Sequence, residues 1–188
     1  RIIDRHDREQ LLTKLCVPYR GVTHFDCDYY FDEIGCHLGC ADTRKHVAIN
    51  AVLDEYFREL EATRQIDFEL ILWYAHALMS EQKDIALLLA RAFSYILIDE
   101  YQDTNFSQYT IVKKLAAAYQ NICVVGDDAQ SIYKWRGADI RNILDFQTDY
   151  ADAAIARLEQ NYRSTKTILA AADDVISNNR KQLAKKLW

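Results

Sequence analysis

Two adjacent carboxylates, Asp99 and Glu100, follow the apolar run Tyr95-Ile96-Leu97-Ile98. An acidic pair at the end of a buried strand needs a cation or hydrogen bonds to compensate it. In nucleotide-hydrolysing enzymes one such acid helps hold Mg²⁺, and its neighbour orients or deprotonates the attacking water. The dipeptide alone has little specificity, since a solvated turn reads the same way. Its extension has far more. Residues 99–105 read Asp-Glu-Tyr-Gln-Asp-Thr-Asn. Residues 126–139 read Gly-Asp-Asp-Ala-Gln-Ser-Ile-Tyr-Lys-Trp-Arg-Gly-Ala-Asp, and residues 158–165 read Leu-Glu-Gln-Asn-Tyr-Arg-Ser-Thr. Each cluster follows a short apolar run, so parallel strands bring all three to one sheet edge, where ligands of such sheets bind.

Tyr133 and Trp135 stand two apart, which turns both rings to one side of an extended backbone. Lys134, Arg136 and Arg141 lie close by. Rings interleaved with cations suit single-stranded DNA, because bases stack at about 1–3 kcal/mol each while cations follow the phosphates. The alternative puts Trp135 in a core and leaves the charges solvated. Farther on, residues 161–188 hold 6 basic and 2 acidic side chains. That basic end, with Arg180, Lys181, Lys185 and Lys186, fits phosphate contacts and a solvated helix face equally well.

The elements that must position these residues follow from periodicity. Ile49, Val52, Leu53, Tyr56 and Leu60 form one face of a helix over residues 47–64. Further helices are predicted over 68–79 and 84–92. The period then changes, and residues 95–98 read as a strand buried on both faces of a parallel sheet. Thr104 or Asn105 caps a helix burying Ile111, Val112, Leu115 and Tyr119. Residues 122–125 make the next strand, 139–146 a helix, and 154–158 a third strand. Ser164 caps a last helix that turns Ile168, Ala171, Ala172, Val175 and Ile176 inward. Residues 21–46 have no clear period and read mostly as loop. Alternating strands and helices define an α/β layer with parallel strands.

Composition bounds the rest. The 188 residues are 50% apolar and 27% charged, with a net charge of −5. No apolar run is long enough to span a bilayer, and no secretory signal opens the chain. Arg1 in place of Met suggests a chain cut from something longer. Five cysteines without an export signal fit reduced thiols in a cytoplasmic protein. His24, Cys27, Cys36 and Cys40 form a string whose spacing fits no common zinc module, and free cysteines are the simpler expectation.

The three clusters resemble, in order, helicase motifs II, III and IV of the UvrD/Rep family of superfamily 1 DNA helicases. The strongest likeness covers about residues 93–188. The earlier half is similar to the helical subdomain inserted in the first motor domain of that family. There the family's Asp-Phe-Asp-Asp-Leu stretch is matched only by Asp67-Phe68-Glu69-Leu70-Ile71. The resemblance implies a partial P-loop NTPase (RecA-like) motor domain preceded by a mainly helical inserted subdomain. Residues 1–64 form the insert, 65–165 the C-terminal half of the first motor domain, and 166–188 a helix leading to the second. It further implies that Asp99 helps coordinate Mg²⁺, that Glu100 is the catalytic base, and that Gln130 senses the γ-phosphate of ATP. The same resemblance implies that Arg163 faces that phosphate, that Tyr162 stacks on adenine, and that Tyr133, Trp135 and Arg136 contact DNA. An ion pair between Arg163 and Glu159 is the structural alternative for that arginine.

A phosphate-cradling loop requires Gly-x-x-x-x-Gly-Lys-Ser/Thr. Gly21, Gly35, Gly39, Gly126 and Gly137 are the only glycines, and none precedes a lysine. The resemblance places that loop upstream of Arg1 and a second motor domain after Trp188. The expected parent is an ATP-dependent 3′–5′ DNA helicase acting on single strands and DNA junctions in repair or replication, with the isolated chain inactive. A motor fragment of a helicase–nuclease subunit and a non-catalytic DNA-binding scaffold are the alternatives.

Overall fold

A computed structural model of the chain describes residues 1–27, 43–179 and 188. It divides into two compact units, Arg1–Tyr95 with Phe106–Asn121, and Ile96–Asn105 with Ile122–Trp188. Both strands lie in the second unit, and the chain is α/β with a two-stranded parallel sheet and many helices. No helix among the described residues is long and apolar enough to cross a membrane.

The first unit is helical. Helix α1 (Arg5–Cys16) opens on Asp4, whose carboxylate accepts the Asp7 N–H at 2.8 Å and so satisfies a donor the helix leaves unpaired. Helix α2 spans Thr43–Thr63. Its predicted face is the core: Ile49, Val52, Leu53, Tyr56 and Leu60 are each at most 5% exposed and cluster with Leu12, Cys16, Val22, Cys27 and Leu70. The helix starts before residue 47 and takes 43–46 out of the expected loop. Residues 28–42, with Cys36 and Cys40 of the candidate zinc string, lie outside the described residues. Cys16 and Cys27 are buried, with their sulfurs 3.9 Å apart. Burial pushes the Cys16 thiol up, which keeps it neutral.

Helices α3 (Phe68–Glu81), α4 (Lys83–Ala92) and α5 (Phe106–Ala116) also belong to this unit, with α5 packed on the other two. The expected face of α5, at Ile111, Val112 and Leu115, is only half-buried, and Tyr119 is exposed. Asp67 caps α3 by accepting the Leu70 N–H at 2.6 Å. It also sits in a buried polar cluster. Arg8 Nε lies 3.5 Å from Asp67 Oδ2, Arg8 Nη1 lies 2.7 Å from Glu69 Oε2, and the Tyr56 hydroxyl donates to Asp67 Oδ2. Burial, then the adjacent Asp67 carboxylate, pushes the Tyr56 hydroxyl far above its ordinary value.

In the second unit, β1 (Ile96–Ile98) and β2 (Ile122–Val124) pair in parallel, with Ile96 opposite Ile122, Leu97 opposite Cys123 and Ile98 opposite Val124. The expectation of burial on both faces fails. Leu97 is 77% exposed and Cys123 is exposed, while the isoleucines on the other face are half-buried.

The third expected strand is also absent from the described residues. Residues 153–161 form no ladder, and Ile155 and Leu158 are exposed. Glu159 and Asn161 instead bond Trp188 through main-chain contacts of 3.0 and 2.8 Å. The run Ala154-Ile155-Ala156-Arg157-Leu158 offers two large apolar side chains, too little to dock a strand by burial alone.

The helix expected over 139–146 resolves into two single turns, α6 (Arg141–Leu144) and α7 (Phe146–Asp149). Helix α8 (Lys166–Ile176) is preceded by Thr165 rather than Ser164 at its cap. Of its apolar residues only Leu169 is buried, whereas Ile168 and Val175 are exposed.

Candidate functional site at the strand ends

Parallel pairing places the residues after β1 and those after β2 at the same sheet edge. Main-chain bonds carry the pairing past both strands: Val125 N–H donates to Ile98 O at 2.7 Å, and Tyr101 N–H to Val125 O at 3.0 Å. Between them Glu100 is left-handed, at φ 51° and ψ 40°. A residue with a Cβ pays about 1–2 kcal/mol to adopt that conformation, and such strain gathers at functional sites. The Asp99 carboxylate supports the reversal by accepting the Glu100 N–H at 2.9 Å. The chain then enters the 3₁₀ turn Tyr101–Asp103 with both acidic side chains exposed.

Gln102 in that turn is 1% exposed and joins the two strand exits. Its Nε2 donates to Glu100 Oε2 at 2.8 Å and to Asp103 Oδ2 at 3.2 Å, and its Oε1 accepts the Asp127 N–H at 3.0 Å. Asp127 in turn accepts from Ala129 N–H at 2.9 Å and from Gln130 Nε2 at 3.0 Å. Glu100 and Gln130, predicted from the sequence to act together, are thus tied into one hydrogen-bonded network. Gln102 and Asp127 stood inside the quoted motifs without a role. The available signal was a lone amide within an acidic string, since closely spaced carboxylates recruit donors.

Tyr162 and Arg163 sit on the turn before α8. Both are exposed. The Tyr162 hydroxyl donates to Gln160 Oε1 at 2.7 Å, and the Asn161 carboxylic amide oxygen accepts the N–H groups of Arg163 and Ser164 at 2.9 and 2.8 Å. Among the described residues Arg163 forms no ion pair with Glu159, and neither Tyr162 nor Arg163 bonds the Glu100–Gln130 network.

The rings of Tyr133 and Trp135 are 6.3 Å apart between centroids, tilted by 51°. They do not share an extended strand. Lys134–Arg136 is a 3₁₀ turn closed by Gly137, which is left-handed at φ 79°. Trp135 is 63% exposed and Tyr133 39% in this chain. Arg141, grouped with these cations from the sequence, is engaged by Asp139 through its Nε at 2.9 Å. The Arg141 guanidinium holds the Asp139 carboxyl below its usual range.

The donor set at the strand ends suits a hard divalent cation. No group of three metal-binding side chains occurs among the described residues, but Mg²⁺ needs only one or two carboxylates beside phosphate oxygens and water. Asp99, exposed and with Oδ2 not used in the turn, meets that requirement.

The α/β unit thus carries, at the shared end of its parallel strands, Glu100 bonded through the Gln102 amide to the loop of Asp127 and Gln130. The UvrD/REP helicase N-terminal domain model matches residues 30–151. The ATP-dependent DNA helicase PcrA of Bacillus subtilis is 48% identical over 140 residues, covering 74% of this chain and 19% of that protein. DNA helicase II of Rickettsia typhi is 50% identical over 137 residues, covering 73% of this chain and 21% of that protein. PcrA of Staphylococcus aureus is 49% identical over 140 residues, again 74% of this chain and 19% of the relative. The chain belongs to the UvrD/REP helicase N-terminal domain family. It spans about a fifth of the length of the curated relatives it matches. Tyr162 and Arg163 lie beyond the span that the family model matches.

Proposed function

We propose that this chain is part of an ATP-dependent DNA helicase and forms one wall of its ATP site. The observation that carries the reading is the bonded path Glu100–Gln102–Asp127–Gln130 at the shared end of two parallel strands. In this assignment residues 1–64 belong to a helical inserted subdomain, 65–165 to the first RecA-like motor domain, and 166–188 to the helix leading onward. Relatives named as ATP-dependent DNA helicases support ATP as the fuel and DNA as the track.

The chemistry is hydrolysis of ATP to ADP and phosphate. Glu100 takes a proton from water as the water oxygen bonds the γ-phosphorus and the bond from that phosphorus to the bridging oxygen of ADP breaks. The Gln130 amide contacts the γ-phosphate, and Arg163 places a guanidinium against the charge that develops there. Asp99 would hold Mg²⁺, which neutralises phosphate charge when bound. Tyr162, with its ring exposed, stacks on adenine. Tyr133, Trp135 and Arg136 grip single-stranded DNA, and coupling of that grip to nucleotide state drives movement 3′ to 5′.

Two measurements test this reading. The 188-residue chain alone shows no DNA-stimulated ATP turnover, whereas the full-length protein that carries it does; turnover by the chain alone would overturn the assignment of the site to a shared cleft. In the full-length protein, Trp135→Ala weakens binding of a labelled oligonucleotide by about 1–3 kcal/mol. Unchanged fluorescence anisotropy titrations would remove Trp135 from the DNA path.

A further inference from the structure

Gln102 is buried at 1% exposure among the described residues of the second unit, and both its N–H donors and its side-chain oxygen are engaged there. Both Nε2 protons face carboxylates and Oε1 faces an N–H. The reverse orientation would set oxygen against two anions, so the environment admits one orientation of the amide. Its main-chain carbonyl also accepts from Ser131 Oγ at 3.3 Å, on the residue after Gln130. The neighbouring backbone leaves room for this amide only because residue 126 is glycine. A Cβ there would lie 2.6 Å from Gln102 Oε1 and 2.7 Å from Ile143 Cδ1.

We propose that Gln102 is a positioning residue that fixes the Glu100 carboxylate to the loop carrying Gln130, so that the acid is aimed only while that loop holds its bonded form. The inference rests on the reading of Glu100 as base and Gln130 as γ-phosphate contact, and adds how the two are kept in step. One oxygen of Glu100 is occupied by Gln102, which leaves the other to meet water. A shift of the Gln130 loop pulls the Asp127 N–H from Oε1 and releases the amide that orients Glu100. Phosphate sensing and proton removal then switch together.

The test uses the full-length protein. Gln102→Glu keeps an acceptor for the Asp127 N–H, removes the donor to Glu100 and adds a like charge beside it. Its kcat for DNA-stimulated ATP hydrolysis falls about 10- to 100-fold, the scale of a small misplacement of a reacting group. KM for ATP stays within about twofold, since binding contacts are untouched. Gln102→Met, which has no N–H donor and only a weak thioether acceptor, lowers kcat likewise while KM stays within about twofold. Glu100→Gln serves as the control: if it retains turnover, the reading of the site fails. If Glu100→Gln abolishes turnover while both Gln102 variants keep the kcat of the parent, the positioning role alone is overturned. Loss of cooperative melting in both Gln102 variants overturns it as well, since the amide is then a requirement for folding.

Discussion

Glu100→Gln in the full-length protein is expected to lower kcat for ATP hydrolysis about 10²- to 10⁴-fold, the contribution of a positioned general base. Affinity for ATP should stay within about twofold, because the substitution removes basicity rather than a binding contact. The geometry makes this a clean exchange. The bond that supports the turn runs from the Glu100 main-chain N–H to Asp99 and does not involve the side chain being changed. The left-handed backbone at φ 51° strains glutamine as it strains glutamate. Gln102 Nε2 still finds an oxygen acceptor at residue 100. Single-turnover hydrolysis measured beside equilibrium binding of a fluorescent nucleotide separates the two effects. Near-parental turnover would mean that another group takes the proton. A parallel loss of affinity would assign Glu100 to binding.

Local periodicity carried much of the fold. The α2 face repeats at helical spacing through Ile49, Val52, Leu53, Tyr56 and Leu60, and burial follows that pattern. The two β-branched runs that end in acidic or glycyl residues pair in parallel as their composition implies. Elements that depend on a distant partner were not legible. Residues 154–158 alternate enough to read as a strand, but a strand requires a ladder, and the main-chain groups of Glu159 and Asn161 bond Trp188 instead. The apolar side of α8 fits a helix pattern, yet periodicity gives a face and not the surface that covers it.

The site divides along the same line. Glu100 and Gln130 were visible as side chains of the right chemistry at strand exits. The contact between them runs through Gln102 and the Asp127 main chain, 25 residues apart in sequence. Spacing alone does not reveal such a contact. At Trp135 the error was of backbone type. The pair Tyr133 and Trp135 was read on an extended chain, whereas Gly137 closes a 3₁₀ turn over Lys134–Arg136. That glycine was the local signal for a turn, since left-handed geometry favours it.

Asp67→Ala is expected to destabilise the fold by about 3–5 kcal/mol, the cost of breaking a buried charge pair by removing one partner. Three losses coincide at this 1%-exposed carboxylate. Arg8, itself 4% exposed, keeps Glu69 but loses the anion nearer the core. The Tyr56 hydroxyl, on a fully buried ring, loses its acceptor. Helix α3 loses its cap, worth about 1 kcal/mol in general. The position is also structurally anchored, because Ile66 beside it bridges to the N-terminal segment through Ile3 N–H to Ile66 O at 2.9 Å. Asp67→Asn discriminates among these terms. It retains an oxygen for the Leu70 N–H, but sets an NH2 where Oδ2 accepts the Tyr56 hydroxyl and removes the charge facing Arg8, so its loss is smaller than that of alanine by about the worth of the cap. Tyr56→Phe removes one bond and keeps the ring in the core. Combined with Asp67→Ala it should cost less than the sum of the two single changes, since groups in direct contact are not additive. Denaturant midpoints for the single and double variants provide the measurement. An Asp67→Ala loss below about 1 kcal/mol would place this cluster among ion pairs whose desolvation cancels their attraction.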